Sequence, residues 1–392
     1  MSMSAKKPAL VTLVVAFALS NLAAEEISKP DTPVIELLQH IDESPSPTIS
    51  EPPLVVAPSN VCRTDRINSL LNSPDRIGYG AQTTGGAAAD AITWVTNLND
   101  SGPGSLRTAL ESASPKWIAF DEKLKGGTIY VESQLPSSGD FTIDGRGNSG
   151  PLDITLAATD STLRHMLVLW NGNVIIHGIT LDGNNTNGTA LLPRTGSNFW
   201  IDHVTIKNWI TDDAIGIGKL SESNTADNIT ISNYHAFDTS KAILFGGEDE
   251  DTRPKTGKLT LFSSILAAKD RNPRVSRYQH AHIYNNYVHS YKFSGIHAAR
   301  GAVILAENNY VSASSANSNW HAIAGVDWDS PFPDGVAYTS GNIVSGGTEW
   351  NTLSESYDVG YDYSLMLADQ VVNHVMQNAG AVNANLSLEV CN

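Results

Sequence analysis

The sequence predicts an all-β chain wound as a parallel solenoid, and three observations carry that expectation. Short β-rich segments recur at intervals of roughly 20 to 30 residues, the length of one solenoid coil. Two-residue hairpin signals between them are nearly absent, so successive strands are expected to run parallel rather than to fold back on each other. Asparagine returns beside the strands, at Asn173, Asn198, Asn228, Asn285 or Asn286, and Asn308 or Asn309. Stacked side-chain amides can bond from coil to coil at the ~4.8 Å strand spacing.

The chain opens MSMSAKKPALVTLVVAFALSNLAAEE. Lys6 and Lys7 precede an apolar run from Pro8 to about Leu19, and small residues follow at Ala23 and Ala24; this is the pattern of a secretory signal peptide, residues 1–24. The run is too short to span a bilayer, so a soluble, exported, monomeric protein is expected. Residues 25–60 are rich in Pro, Ser and acid and read as a disordered leader, with room for a short helix from Val34 to Ile41. Residues 61–392 contain no second linker of comparable length, and one elongated repeat domain is expected there. Cys62 and Cys391 stand at its two ends. In an oxidising compartment they can join, or each can stay free.

Within the domain the expected strands are NVIIHGITL from Asn173, NFWIDHVTI from Asn198, NITISNYHAF from Asn228, KLTLFSSIL from Lys258, HIYNNYV from His282 and AVILAENNYV from Ala302. The chain carries 41 acidic against 25 basic residues, a formal charge of −16. That balance excludes general nucleic-acid binding, because long-range repulsion would oppose it. Against this background the stretch DRNPRVSR, residues 270–277, places three arginines close together. Such a knot suits a polyanionic partner; taken alone, it could also pair with the nearby acidic run GGEDED.

The stretch IGYGAQTTGGAAADAITWVTNLNDSGPGSLRTALES, from Ile77 to Ser112, resembles the opening of the pectate lyase family of polysaccharide lyases. The resemblance continues through KWIAFD, FTIDGRG, NVIIHGITL, WIDH (Trp200 to His203), ITISNYHAFD, SKAILFGG and RNPRVSRYQHAHIYNNYV, up to about Tyr310. It implies a right-handed parallel β-helix and an enzyme that cleaves polygalacturonate by β-elimination. In such a reaction charge develops on the uronate carboxylate, so cations fixed around it are the expected machinery. By resemblance Arg271 takes the place of the base, Lys241 that of the lysine gripping the carboxylate, and Arg277 that of a supporting arginine, with Arg274 and His203 as further substrate-binding residues.

The resemblance also implies calcium, held by an aspartate about a dozen residues before WIDH and by a pair in a D-G-x-x-D motif after it. Here Thr189 stands at the first place, Asp212 at the second and Gly216 at the third. Asp213 and Asp182 are the expected replacements, giving Asp212, Asp213 and Asp182 as a calcium set. If the ion has been lost, Arg194 could stand in for it. The paired aspartates in TDDAIGIG are also similar to those of β-helical polygalacturonases, hydrolases that need an acid and a base carboxyl. Their other motifs do not occur in this sequence. A pectin lyase-like enzyme without calcium and a non-catalytic glycan-binding β-helix are the remaining alternatives.

Overall fold

The computed structural model describes residues 60–218, 225–246, 256–277, 279–314, 321–328 and 332–384. The expected signal peptide, the expected leader up to residue 59 with its helix at 34–41, and Cys391 lie outside them, while Cys62 is buried. The described strands form three parallel sheets, of eleven, nine and eight strands, and one two-stranded antiparallel ribbon at Arg146–Gly147 and Gly150–Pro151. The chain is a right-handed parallel β-helix: the coil spacing implies the parallel coils, and the family resemblance implies their hand.

The expected strands are each bent into two. NVIIHGITL supplies Val174–His177 to the eleven-stranded sheet and Ile179–Thr186 to the nine-stranded one. NFWIDHVTI likewise supplies Gly196–Asp202 and Thr205–Trp209. The residue that follows the first strand takes a left-handed backbone in coil after coil: Gly178, His203, Asn233, Ser263, Asn285, Asn308 and Gly341 have φ between 48° and 71°. Glycine reaches this region freely, while short polar side chains tolerate it through local hydrogen bonds. No period-2 or period-3.6 pattern announces such a corner, which is why each pair of strands reads as one in the sequence.

The core follows from the register. In the eleven-stranded sheet Ile118, Ile143, Ile176, Ile201, Ile231, Leu261 and Ile283 stand in successive partner positions, all fully buried. Branched aliphatic side chains fit the pleated surface and stack without a void. The outer face of this sheet is covered by the helix Asn60–Leu71, whose Ile67 and Leu70 pack on Trp117, Ile175 and Trp200. That helix is pinned by Arg66, which with Arg146 and the Trp117 indole encloses the buried Asp144 carboxylate. Burial opposes the charge of Asp144, but the two guanidiniums outweigh it and hold its carboxyl far below the usual carboxylate range. The FTIDGRG motif is therefore a structural clamp.

The IGYGAQTTGG motif lies flat on the same face. Backbone N–H groups of Tyr79, Gly80 and Gly86 donate to the hydroxyls of Thr260, Thr230 and Thr142. The approach is so close that a Cβ on Gly80 would stand 2.3 Å from the Phe199 carbonyl oxygen, and one on Gly86 1.8 Å from that of Lys116. At the other end of the domain the helix Ala368–Asn378 covers the nine-stranded sheet by packing Val371 and Val375 against Ile265.

The recurrent asparagines divide into two roles. Asn173, Asn198, Asn228, Asn285 and Asn308 are left-handed turn residues. Asn286 and Asn309, one position further on, form the expected ladder, which continues to Asn342. The Asn286 amide donates to Asn309 Oδ1 at 3.0 Å and to the Leu261 carbonyl at 3.0 Å, and Asn309 repeats the pattern to Asn342 at 3.0 Å and Ile283 at 2.8 Å. Asn286→Ala removes these bonds and leaves buried partners unsatisfied, so it should cost about 3 kcal/mol. Denaturant unfolding checks this; a loss of under about 0.5 kcal/mol would show that the ladder is only a consequence of the fold.

Candidate active site

The eight-stranded sheet carries a column of polar residues at the point where each of its coils enters it. Thr189 pairs with His165, Asp213 with Lys241, and Lys241 in turn with Asp270. Asp270 receives the Ser294 hydroxyl at 2.5 Å, and Ser294 pairs with His321. Parallel pairing thus stacks side chains from distant parts of the sequence at the strand spacing of ~4.8 Å.

Arg271 stands at the centre of this column. It has a left-handed backbone, φ 56°, and its carbonyl accepts the Ile243 N–H at 2.9 Å, which fixes it beside the Lys241–Phe245 strand. Its Nη1 lies 3.0 and 3.2 Å from the two carboxylate oxygens of Asp213. Asp213 is fully buried, whereas 16% of the Arg271 side chain remains exposed. A buried carboxylate without a partner would be costly; the guanidinium supplies one and is held in place by it. Lys241 is half-buried on the next rung. One guanidinium and one ammonium are thus gathered at a site open to solvent, in a chain of strongly acidic composition.

A family model described as pectate lyase matches residues 143–384, well over half of the chain. The chain belongs to the pectate lyase family. Among curated relatives, pectate lyase 1 of Cryptomeria japonica is 28% identical over 356 residues, covering 79% of this chain and 87% of that one. Pectate lyase 1 of Juniperus virginiana is 30% identical over 267 residues, covering 62% and 68%. The fold matches that of jun a 1, the major cedar-pollen allergen, with a TM-score of 0.59 at 23% identity over 78% of this chain and 92% of that one. A Bacillus pectate lyase solved in complex with trigalacturonate matches with a TM-score of 0.55 at 19% identity, over 78% and 99%. This pectate lyase is accordingly a polysaccharide lyase.

Measured against the expectations for this family, Arg271 and Lys241 come together, and Asp213 rather than Asp212 stands in register with the lysine. Asp212 stays at the edge of the column beside Thr189: its Oδ2 accepts the Thr189 hydroxyl at 3.1 Å and its Oδ1 the Asp213 N–H at 2.9 Å. Arg274 lines the neighbouring cavity, its Nη2 4.0 Å from Asp327. Arg277 is only 2% exposed and sits in a left-handed turn, so it can act on a substrate through its field but not by direct grip. Asp270 and Ser294 escaped the sequence reading. The only signal was that Asp270 adjoins Arg271.

His203 does not join the site. It is one of the corner residues between the eleven- and nine-stranded sheets, and its Nδ1 lies 2.8 Å from the Asp202 carboxylate, which also meets His177 at 2.9 Å. Burial opposes charge on both rings. At His203 the Asp202 charge outweighs it and the pKa rises, whereas at His177 burial prevails and the pKa falls. Arg194 is also displaced: it ends the strand that Thr189 begins and stacks over Trp170 at 4.3 Å.

The aspartates do not fit a calcium cage. Asp182 lies on the nine-stranded sheet, where Asn208 donates to it at 2.8 Å and Lys207 Nζ lies at 3.3 Å, while Asp213 is taken by Arg271. Gly216, inside a buried strand, offers no side chain. Calcium binding needs six or more convergent oxygens with carboxylate charge to spare. Among the described residues the one cluster of three ligating side chains is His177, Asp202 and His203, and hydrogen bonds already join its members.

Because His203 supports a corner, His203→Ala should lower stability by about 2 kcal/mol and leave kcat/KM on polygalacturonate unchanged at temperatures where the variant is folded. A selective rise in KM in a stably folded variant would return His203 to the substrate site.

Proposed function

We propose that this enzyme is exported from the cell and cleaves polygalacturonate by β-elimination at Arg271. The proton on C5 passes to the Arg271 guanidine, the C–H electron pair forms the C4–C5 double bond, and the C4–O bond breaks with its electron pair on the glycosidic oxygen, which takes a proton from water as the leaving sugar departs. The observation that carries this reading is the placement of Arg271 against Asp213, one rung from Lys241. Lys241 faces the uronate carboxylate, where negative charge grows in the transition state and where a fixed cation is worth most. Arg274, 4.0 Å from Asp327, and the buried Arg277 follow Arg271 in the chain and stand behind this pair.

A guanidinium holds its proton to above pH 12, so a base of this kind acts on the small fraction that is neutral. The rate should therefore climb with pH from about 7 to about 10. Pectate lyases in general depend on calcium. In this chain Asp213 and Asp182 are committed to Arg271 and to Lys207, so Lys241 and the arginines supply the charge that faces the carboxylate. The exported state rests on the signal peptide expected at residues 1–24, whose lysines and apolar run precede the small residues at Ala23 and Ala24.

The test is product formation on polygalacturonate followed by absorbance at about 235 nm, which reports the new double bond; Arg271→Lys should lower the rate by about a hundredfold. Excess chelator should change the wild-type rate by less than about twofold. Reducing sugar released without absorbance would replace elimination by hydrolysis, and full turnover in Arg271→Lys would remove the arginine from the chemistry. A rate abolished by chelator and restored by calcium would show a cation site outside these aspartates.

A further inference from the structure

On the C-terminal side of Arg271 the polar column opens into a cavity of about 340 Å³. Asp270 forms its near wall and adjoins Arg271 in sequence, and Ser294 and His321 extend it over the next two rungs of the same sheet. A polysaccharide lying along the column with one uronate at Arg271 and Lys241 therefore places a neighbouring sugar in this cavity.

The walls are aromatic. Trp328 and Phe293 are 51% and 65% exposed, an unusual state for large apolar rings. Trp328 is nevertheless held rigidly: the buried His297 ring lies 4.3 Å from it, and His321 stacks on it at 5.2 Å with planes 24° apart. His297 is itself fixed by a 2.8 Å contact from Nε2 to the Val326 carbonyl. Trp350, 54% exposed, meets His321 edge-on one coil further along. A rigid ring with an open face can cover the C–H face of a pyranose at little entropic cost.

The two charged residues that line the cavity, Asp270 and Arg274, are of opposite sign. Arg274 and Arg300 lie 4.0 and 3.6 Å from the buried Asp327, and Asp270 accepts the Ser294 hydroxyl. Burial lowers the His297 pKa to about 4, so this ring adds no positive charge near neutral pH. A carboxylate brought here would meet Asp270 as well as Arg274, in contrast to the cation-rich place one rung back.

We propose that this cavity is a subsite for the sugar next to the cleaved unit, that it binds the pyranose by stacking on Trp328, and that it accepts that sugar with its carboxylate free or methyl-esterified. The assignment rests on the polygalacturonate reading and specifies how the same cleft recognises the chain beside the cut.

The experiment compares wild type, Trp328→Ala and Trp328→Phe on galacturonate oligomers of increasing length, with the flanking unit free or methyl-esterified, by absorbance and by calorimetric binding of trigalacturonate. Trp328→Ala should raise KM about tenfold on oligomers long enough to fill the cavity, with kcat little changed and shorter oligomers less affected. Trp328→Phe should recover most of the loss, and esterification should leave the ratio of wild type to variant unchanged. An equal loss at every length would make Trp328 merely structural, and a loss confined to the free carboxylate would make this a charge-recognising subsite; either overturns the proposal. Should wild type yield no unsaturated product, the lyase reading fails, and calorimetry still decides the stacking site: unchanged trigalacturonate affinity in Trp328→Ala overturns it, and affinity weakened about tenfold supports it.

Discussion

Everything in this molecule depends on coils that stay in register although they differ in length. Bonds of the asparagine ladder join residues 22, 23 and 33 positions apart, yet the strands they connect stack side by side. The left-handed corner makes this possible, since it lets the chain leave one sheet and enter the next at a fixed place, with length differences relegated to the loops elsewhere in the coil. Seven residues of four types fill that corner position, each able to adopt positive φ. A bulky β-branched residue there would be strained and would misalign the coil.

Register then assembles the candidate site. Thr189, Asp213, Lys241 and Asp270 come from four different coils, and only parallel pairing brings them into one column. The buried Asp213 is tolerated because Arg271 answers it, and Arg271 keeps a partly exposed guanidinium because Asp213 sits beneath it. The cost of desolvating a carboxylate thereby becomes a means of orienting a partly exposed cation. An acidic surface can coexist with this site, since close fixed charges at a reacting group outweigh distant screened ones.

Much of this was legible in the sequence, for identifiable reasons. Coil spacing and missing hairpins revealed the solenoid because both are properties of linear order. Arg271 and Lys241 were singled out by motif context, and the fold sets them on neighbouring rungs of one sheet. His203 was misplaced because WIDH reads as a polar motif, whereas its histidine is a corner residue whose φ of 49° leaves no trace in composition. The three expected calcium aspartates are spread out by the fold: Asp213 opens a strand and pairs with Arg271, Asp212 just before it accepts the Thr189 hydroxyl, and Asp182 lies on another sheet. Trp328 was invisible because it comes two coils after Arg271 and meets it only through the stack.

The central claim is that Asp213 and Arg271 act as one unit, the carboxylate presenting the guanidinium to the substrate. A double-mutant cycle on the elimination rate tests it most directly, using Asp213→Asn, Arg271→Lys and the two together, each checked for intact fold. Each single change should slow the reaction severely, and the double variant should be no slower than Arg271→Lys alone, because the carboxylate has nothing left to orient. Losses that multiply in the double variant would show two independent contributions and contradict the account.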